Sequence, residues 1–144
     1  MPDRTVFLPD PAATDALGHT LAAALTAGDT VLLSGDLGAG KSHLARAVLR
    51  ALGVTDDIPS PTYTLVQTYP TDKGEVLHAD LYRLGDVSEL AELGLDDAMG
   101  RDICLIEWPD RLDTAPADAL RIDLHPLKDG RTARLSGPDR LVNE

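Results

Sequence analysis

The chain has 144 residues, of which 43% are hydrophobic and 26% are charged, so its composition is that of a globular domain with a core of its own. The 24 acidic residues against 13 basic ones give a formal net charge of −11, which argues against sequence-independent nucleic-acid binding by the surface as a whole. The single cysteine, Cys104, excludes an intrachain disulfide and is expected to be a buried, inert thiol. Neither a secretory signal nor an apolar run of about 18–20 residues is visible, which predicts a cytoplasmic protein without a membrane anchor.

The first half of the chain predicts alternating strands and helices. Residues 5–8 form a short apolar run, and Asp10 followed by a proline is typical of a helix N-terminus. Apolar residues then recur at helical spacing until Gly28, where we expect the helix to end. The almost continuous apolar run 30–34 predicts a buried parallel strand, and the next helical pattern begins at Gly40 or the following lysine and ends near residue 53.

The middle of the chain is less regular. Two prolines in residues 58–64 exclude a helix and predict a loop that leads into an extended segment at 65–69. Residues 75–82 are predicted to form a strand. Asp86 and Glu89 have the spacing of a capping box before a short helix, and the run 103–106 predicts a second buried strand.

The last third predicts a β-hairpin. Apolar and polar residues alternate over 120–125, as in a half-exposed antiparallel strand, and Asp129-Gly130 predicts the turn before a return strand at 132–135. The fold class that follows is a three-layer α/β domain, a mixed sheet with a parallel core and a C-terminal antiparallel hairpin. We expect one domain at 1–136 and a loose tail at 137–144.

Residues 35–42 read GDLGAGKS, a complete G-x4-G-K-[ST] phosphate-binding loop between a buried strand and a helix, which predicts a P-loop NTPase-like domain. Glycines let the backbone curl so that its amides and the helix N-terminus face phosphate oxygens. We expect ATP with Mg²⁺ as the ligand, Lys41 on the β- and γ-phosphates and the Ser42 hydroxyl on the metal ion. The expected nucleotide-binding residues around this loop are Gly35, Gly38, Ala39, Gly40, Lys41, Ser42 and His43.

Hydrolysis needs acidic residues at neighbouring strand ends, and two are available. Glu107 directly follows the buried run 103–106, where open α/β sheets hold their ligands, and is a candidate to bind Mg²⁺ directly or through water. Asp80 ends the run 76–80 within the predicted strand and is a candidate to share the metal or to polarise the attacking water, provided that its strand neighbours the P-loop strand. Each has the alternative of being a solvated loop acid, and the pattern does not say which of the two holds the metal.

Four further residues are open between a functional and a structural role. Thr62 lies in the proline-containing loop and is a candidate γ-phosphate sensor, although a plain surface turn fits as well. Trp108 either covers the site or packs, and packing is favoured. His78 fits a hydrogen-bonded strand residue better than a catalytic one. Arg83 is a possible phosphate ligand or a surface ion-pair residue.

Four blocks occur together in order: GDLGAGKS at 35–42, SPTYTLV at 60–66, HADLYRL at 78–84 and ICLIEWPDR at 103–111. With this set the chain resembles the TsaE family of bacterial ATPases in tRNA threonylcarbamoyladenosine synthesis, from residue 8 to residue 135. The resemblance implies an ATPase that binds the TsaB–TsaD heterodimer, contacts tRNA only through that complex, and hydrolyses ATP to permit multiple turnover. Its turnover alone is expected to be slow, because no arginine finger is evident.

The resemblance also assigns roles to individual residues. Lys41 matches the family's phosphate lysine, and Ser42 matches its Mg²⁺ hydroxyl, where relatives more often have threonine. Glu107 matches the metal-associated glutamate and Asp80 the second functional acid, so the implied catalytic set is Lys41, Asp80 and Glu107. The segment that includes Thr62 matches a switch-like loop, and Arg131 lies in a segment expected to approach the nucleotide.

Two other functions stay open. One is a small P-loop kinase for a metabolite, which fits poorly with the short, acidic stretch 86–100 where an arginine-bearing lid would be expected. The other is a nucleotide-dependent protein-binding module whose hydrolysis is incidental.

Overall fold

The computed structural model describes residues 3–36, 40–55, 58, 66–82, 94–112 and 116–142, and within them seven strands form one mixed sheet. The strands are β1 (Asp3–Leu8), β2 (Thr30–Ser34), β3 (Val66–Thr71), β4 (Gly74–Asp80), β5 (Ile103–Glu107), β6 (Leu120–Leu127) and β7 (Gly130–Ser136). Their order across the sheet is β1-β7-β6-β2-β5-β4-β3. The strands β6, β2, β5 and β4 run parallel, while β1, β7 and β3 pair antiparallel at the two sides. The predicted mixed sheet with a parallel centre and a C-terminal hairpin is confirmed.

The described helices are α1 (Pro11–Ala24), α2 (Lys41–Ala51), α3 (Leu95–Ala98) and α4 (Asp139–Val142), with a 3-10 turn at Pro109–Arg111. The predicted cap holds, because the Asp10 side chain accepts a hydrogen bond of 2.9 Å from the Ala13 amide. The helix ends at Ala24, four residues before Gly28, because Leu25 is already extended. None of the described helices is both long and apolar enough to cross a membrane.

Side chains that alternate along the central strands divide the core between the two faces of the sheet. On β2, Val31 and Leu33 belong to a cluster with the buried faces of α1, α2 and α4, whereas Leu32 belongs to a second cluster with α3. The parallel strand β5 repeats this alternation. Helices therefore cover both faces of the sheet, in agreement with the predicted three layers.

The C-terminal segment differs from the loose tail predicted for 137–144. Residues 139–142 form α4, and Leu141 and Val142 are buried in the larger core cluster. Arg140 donates hydrogen bonds to both carboxylate oxygens of Asp29 and fixes this segment to the turn before β2. The described part of the tail is thus an ordered component of the core, because its apolar pair has a place to be buried.

Several smaller predictions are refined by the structure. The hairpin turn consists of Lys128 and Asp129, and Gly130 already pairs with Leu127, so the turn lies one residue before the predicted one. The strand β6 is half-exposed as predicted, but it pairs antiparallel only with β7 and parallel with β2. The helix predicted after Asp86 and most of the loop at 58–64 lie outside the described residues.

Candidate functional site

The candidate site lies where β2 and β5 end and α2 begins. Gly40 caps α2 in a left-handed conformation with φ of 103°, and no side chain among the described residues caps the first turn. The first-turn amides of a helix have no intrahelical partners and attract anions. An uncapped N-terminus behind a G-x4-G-K-S sequence is therefore suited to a phosphate group.

Lys41 is 4% exposed and begins α2. Its Nζ donates hydrogen bonds to the carbonyls of Gly35 at 2.5 Å and Asp36 at 2.9 Å, and lies 4.3 Å from the centroid of the Trp108 ring. Burial lowers the pKa of Lys41, although the charges of nearby carboxylates, chiefly Glu107, act to raise it. The ammonium is held by neutral carbonyl and ring groups, which an anionic phosphate could replace.

Glu107 is the last residue of β5 and is 2% exposed. The Ser42 hydroxyl lies 2.9 and 3.1 Å from its two carboxylate oxygens, and His78 Nε2 lies 2.7 Å from Oε2. The Ser42 hydroxyl thus donates a hydrogen bond to the carboxylate and keeps its oxygen lone pairs for another partner. The structure brings the two predicted metal residues Ser42 and Glu107 into direct contact.

Asp80 is the last residue of β4 and pairs in register with Glu107. Its Oδ1 accepts a hydrogen bond of 3.1 Å from the Tyr82 amide. Burial raises the pKa of Asp80, and the charge of Glu107 raises it further. Because β5 lies between β4 and the P-loop strand β2, the adjacency on which the role of Asp80 was made conditional does not occur. The parallel arrangement nevertheless brings Asp80 beside Glu107.

Trp108 follows Glu107 in a left-handed conformation, with φ of 59° and ψ of 55°. This is the only described non-glycine residue with a positive φ, and such strain is found mostly at functional sites. Its ring contacts Tyr82 at a centroid distance of 4.9 Å, with the two ring planes tilted by 42°, and it covers Lys41. Trp108 therefore packs, as favoured from the sequence, and also covers the site.

The remaining predicted residues fall into three groups. Gly35, with φ of 145°, and Gly40 lie at the site. A side-chain carbon on Gly40 would overlap the Arg131 guanidinium, so Arg131 lies beside Gly40, and its expected approach to the nucleotide stays a prediction. The ring of His43 instead bonds Asp15 of α1 at 2.8 Å, so its expected role can involve only its main chain. Gly38, Ala39, Thr62 and Arg83 lie outside the described residues.

Two residues at the site were not assigned a functional role from the sequence, His78 and Tyr82. His78 is two residues from Asp80, and this alternation, which puts both side chains on one face of β4, is the signal that could have linked them. The signal for Tyr82 is weaker, because only the fold places it on Trp108. Cys104 is buried, and burial raises its pKa to about 12, as expected for an inert thiol.

The donor set suits a hard divalent cation. It consists of the Ser42 hydroxyl and the carboxylates of Glu107 and Asp80, all of which are oxygen donors. No cluster of three or more His, Cys, Asp or Glu side chains arranged to hold a metal occurs among the described residues. A protein-only metal cage is therefore absent from that part of the chain, whereas Mg²⁺ ordinarily combines one or two carboxylates with substrate phosphates and water.

Together, the sheet order and the loop define a three-layer α/β domain of the P-loop NTPase-like class. The family described as threonylcarbamoyl adenosine biosynthesis protein TsaE matches residues 8–134. The chain belongs to the TsaE family.

Proteins with known names agree with this assignment. The tRNA threonylcarbamoyladenosine biosynthesis protein TsaE of Synechocystis sp. is 44% identical over 117 residues, which cover 77% of this chain and 73% of the relative. The TsaE protein of Rickettsia bellii is 38% identical, with 76% and 78% covered. The crystal structure of Bacillus subtilis YdiB superimposes with a TM-score of 0.73 at 28% identity and covers 97% of this chain and 89% of its own.

Proposed function

We propose that this protein is a Mg²⁺-dependent ATPase that binds the TsaB–TsaD heterodimer and hydrolyses ATP to enable multiple rounds of tRNA threonylcarbamoyladenosine synthesis. The observation that carries the proposal is the contact between Ser42 and Glu107 at an uncapped helix N-terminus, with Lys41 beside it. Phosphate, metal and acid positions of a nucleotide site converge there. Membership in the TsaE family supplies the pathway.

Each residue is given a distinct role in binding. Lys41 exchanges its carbonyl partners for phosphate oxygens, and the first-turn amides of α2 hold the same phosphates. Ser42 would present its oxygen lone pairs to the metal while its hydroxyl donates a hydrogen bond to Glu107. A Mg²⁺ ion held there would supply charge neutralisation and orientation of the phosphates.

We further propose that Glu107 supports the metal side and Asp80 the water side. Both oxygens of Glu107 already accept hydrogen bonds, and the side chain is almost fully buried, so it acts best through Ser42 or through a metal-bound water. Asp80 is only half-buried, and its sole described hydrogen bond comes from the Tyr82 amide. It therefore has a carboxylate oxygen left to orient an attacking water.

The net charge supports docking through protein contacts. At −11, the chain as a whole repels tRNA, so the RNA is expected to be held by the partner proteins. The same proposal predicts slow ATP hydrolysis by the isolated protein, because a partner would complete the stabilisation of the transition state. We expect the protein to be located in the cytoplasm, together with the TsaB–TsaD heterodimer and its tRNA substrate.

The test is reconstitution of the modification with TsaB, TsaD, threonylcarbamoyl-adenylate and tRNA. Multiple turnover should require this protein and ATP and should be lost with Lys41→Ala, whose far-UV circular dichroism should match the wild type. Equal multiple turnover without the protein, with the wild type and with Lys41→Ala would show that the assigned role is wrong. Phosphorylation of a metabolite without net ATP hydrolysis would indicate the kinase, and full activity of a hydrolysis-deficient Glu107→Ala would indicate the binding module.

A further inference from the structure

His78 occupies the centre of β4, is 0% exposed and places Nε2 at 2.7 Å from Oε2 of Glu107. The carboxylate of Glu107 is itself 2% exposed, and a buried carboxylate is costly unless donors satisfy it. Among the described residues its donors are Ser42 and His78. Ser42 has only one proton for two oxygens, so His78 supplies the second hydrogen bond.

Among the described residues, the ring of His78 has a polar partner at one of its two nitrogens, Nε2. Nδ1 of His78 is buried and has no hydrogen-bond partner among the described residues. A carboxylate oxygen accepts hydrogen bonds, so in the 2.7 Å contact Nε2 of His78 is the donor and Oε2 of Glu107 is the acceptor.

Strand alternation explains how one strand serves both acids. Side chains two residues apart on a strand lie on the same face, so His78 and Asp80 both face the layer of α1 and α2. Val76 on the same face belongs to the core cluster with these helices, which confirms the direction. The strand β4 thus ends in the carboxylate of Asp80, and two residues earlier it carries His78, the donor to the carboxylate of Glu107 on β5.

We propose that His78 is a positioning residue that fixes the carboxylate of Glu107, so that the Ser42 hydroxyl donates its hydrogen bond to Glu107 and directs its lone pairs toward the metal site. This inference rests on the proposed Mg²⁺-nucleotide function. Without the Nε2 donor, one carboxylate oxygen loses its partner, and the group is free to rotate toward the ammonium of Lys41, with which it already interacts electrostatically. The metal then loses an oriented hydroxyl, whereas the phosphate-binding amides of α2 are unaffected.

The experiment measures the coupling between Mg²⁺ and nucleotide rather than turnover. A fluorescent ATP analogue is titrated into the full chain with saturating Mg²⁺ and again with EDTA, and the ratio of the two affinities is compared among variants. In His78→Leu the donor is lost, and this ratio should fall about tenfold, the usual effect of removing a group that orients a metal ligand, while the affinity in EDTA changes less than about twofold. In His78→Gln the amide places an N–H donor near the position of Nε2 and should restore most of the ratio.

Two further variants separate positioning from stability. Val76→Ala removes buried volume from the same strand and face, so it should lower the melting temperature and leave the Mg²⁺ ratio unchanged. His78→Asn keeps a polar side chain that is too short to reach Glu107 and should behave like His78→Leu, which keeps the test decisive if His78→Leu does not fold.

The outcomes distinguish this inference from the proposed function. A wild-type chain that binds the analogue without any Mg²⁺ dependence contradicts the proposed function itself. If the wild type shows strong Mg²⁺ coupling, two results would overturn the positioning role alone. One is unchanged coupling in His78→Asn, and the other is an equal loss of coupling in His78→Asn and His78→Gln.

Discussion

The contact between α1 and α2 predicts a large effect of a small substitution. A side-chain carbon built on Gly18 would lie 2.5 Å from Cβ of Ala47 and 3.0 Å from its carbonyl carbon. Carbon atoms pack favourably at about 3.5–4.0 Å, so Gly18→Val requires the two helices to move apart by about 1 Å. The atoms contacted are backbone or the first side-chain carbon, so none of them can turn aside.

The magnitude follows from the cost of overpacking, about 1–3 kcal/mol, against a gain of a few tenths of a kcal/mol when valine replaces glycine in a helix. We expect the free energy of unfolding to fall by about 2 kcal/mol. With a urea dependence of about 2 kcal/mol per molar, the midpoint of urea unfolding moves down by about 1 M, measured by far-UV circular dichroism.

A matched control and a relief mutation test the reasoning. Ala16→Val adds the same branched side chain at an exposed position of α1 and should cost less than about 1 kcal/mol. Adding Ala47→Gly to Gly18→Val removes the clashing atom, so the double variant should be at least about 1 kcal/mol more stable than the sum of the single effects predicts. A Gly18→Val variant as stable as Ala16→Val, or strictly additive effects in the double variant, would refute the close-contact argument.

Three more outcomes are expected. Leu141→Ala should lower the unfolding free energy measured in urea titrations by about 2–5 kcal/mol. Leu127→Ala, at a 50% exposed position, should change it by less than about 0.5 kcal/mol. Equal effects of the two substitutions would indicate that the C-terminal segment is the loose tail predicted from the sequence. Lys73 donates hydrogen bonds to three carbonyls at the end of α1, at 2.6–3.0 Å. Lys73→Met should therefore lower the free energy of unfolding in urea titrations by about 1–2 kcal/mol. The control Lys128→Met, at an exposed position, should leave it unchanged. Burial raises the pKa of Asp80 above its ordinary 3.8, so the ionised side chain destabilises the fold once the pH has risen through the folded-state pKa. Asp80→Asn should therefore raise the free energy of unfolding at neutral pH but not well below pH 3.8. A stabilisation of equal size at both pH values would contradict this assignment.

Local patterns predicted the elements that depend on neighbouring residues. The continuous apolar runs of β2 and β5 and the Asp10-Pro11 cap are short-range signals, and the structure has them where they were expected. The G-K-S sequence likewise predicted the start of α2 to within one residue. Each of these features is determined by residues that lie within the same helical turn or the same strand.

The features that the sequence did not reveal depend on distant partners. Nothing in residues 74–80 indicates that β4 pairs with β5 rather than with β2. The segment around Leu141 is too short for a helical period and is buried only because the core and Asp29 receive it. His78 looks like an ordinary strand residue because its partner Glu107 lies 29 positions away.

Three of the five buried polar or charged side chains in the described part of the chain meet at the candidate site. The five are Thr14, Thr30, Lys41, His78 and Glu107, of which the last three lie together at the site. Burial lowers the pKa of Lys41 and raises that of Asp80, so the folded chain disfavours the charged form of both. A phosphate chain with its cation would offer opposite charge to both groups at once. The residues that weaken the free protein are then those that strengthen its complex, so bound nucleotide should stabilise this fold through charge as well as through contact.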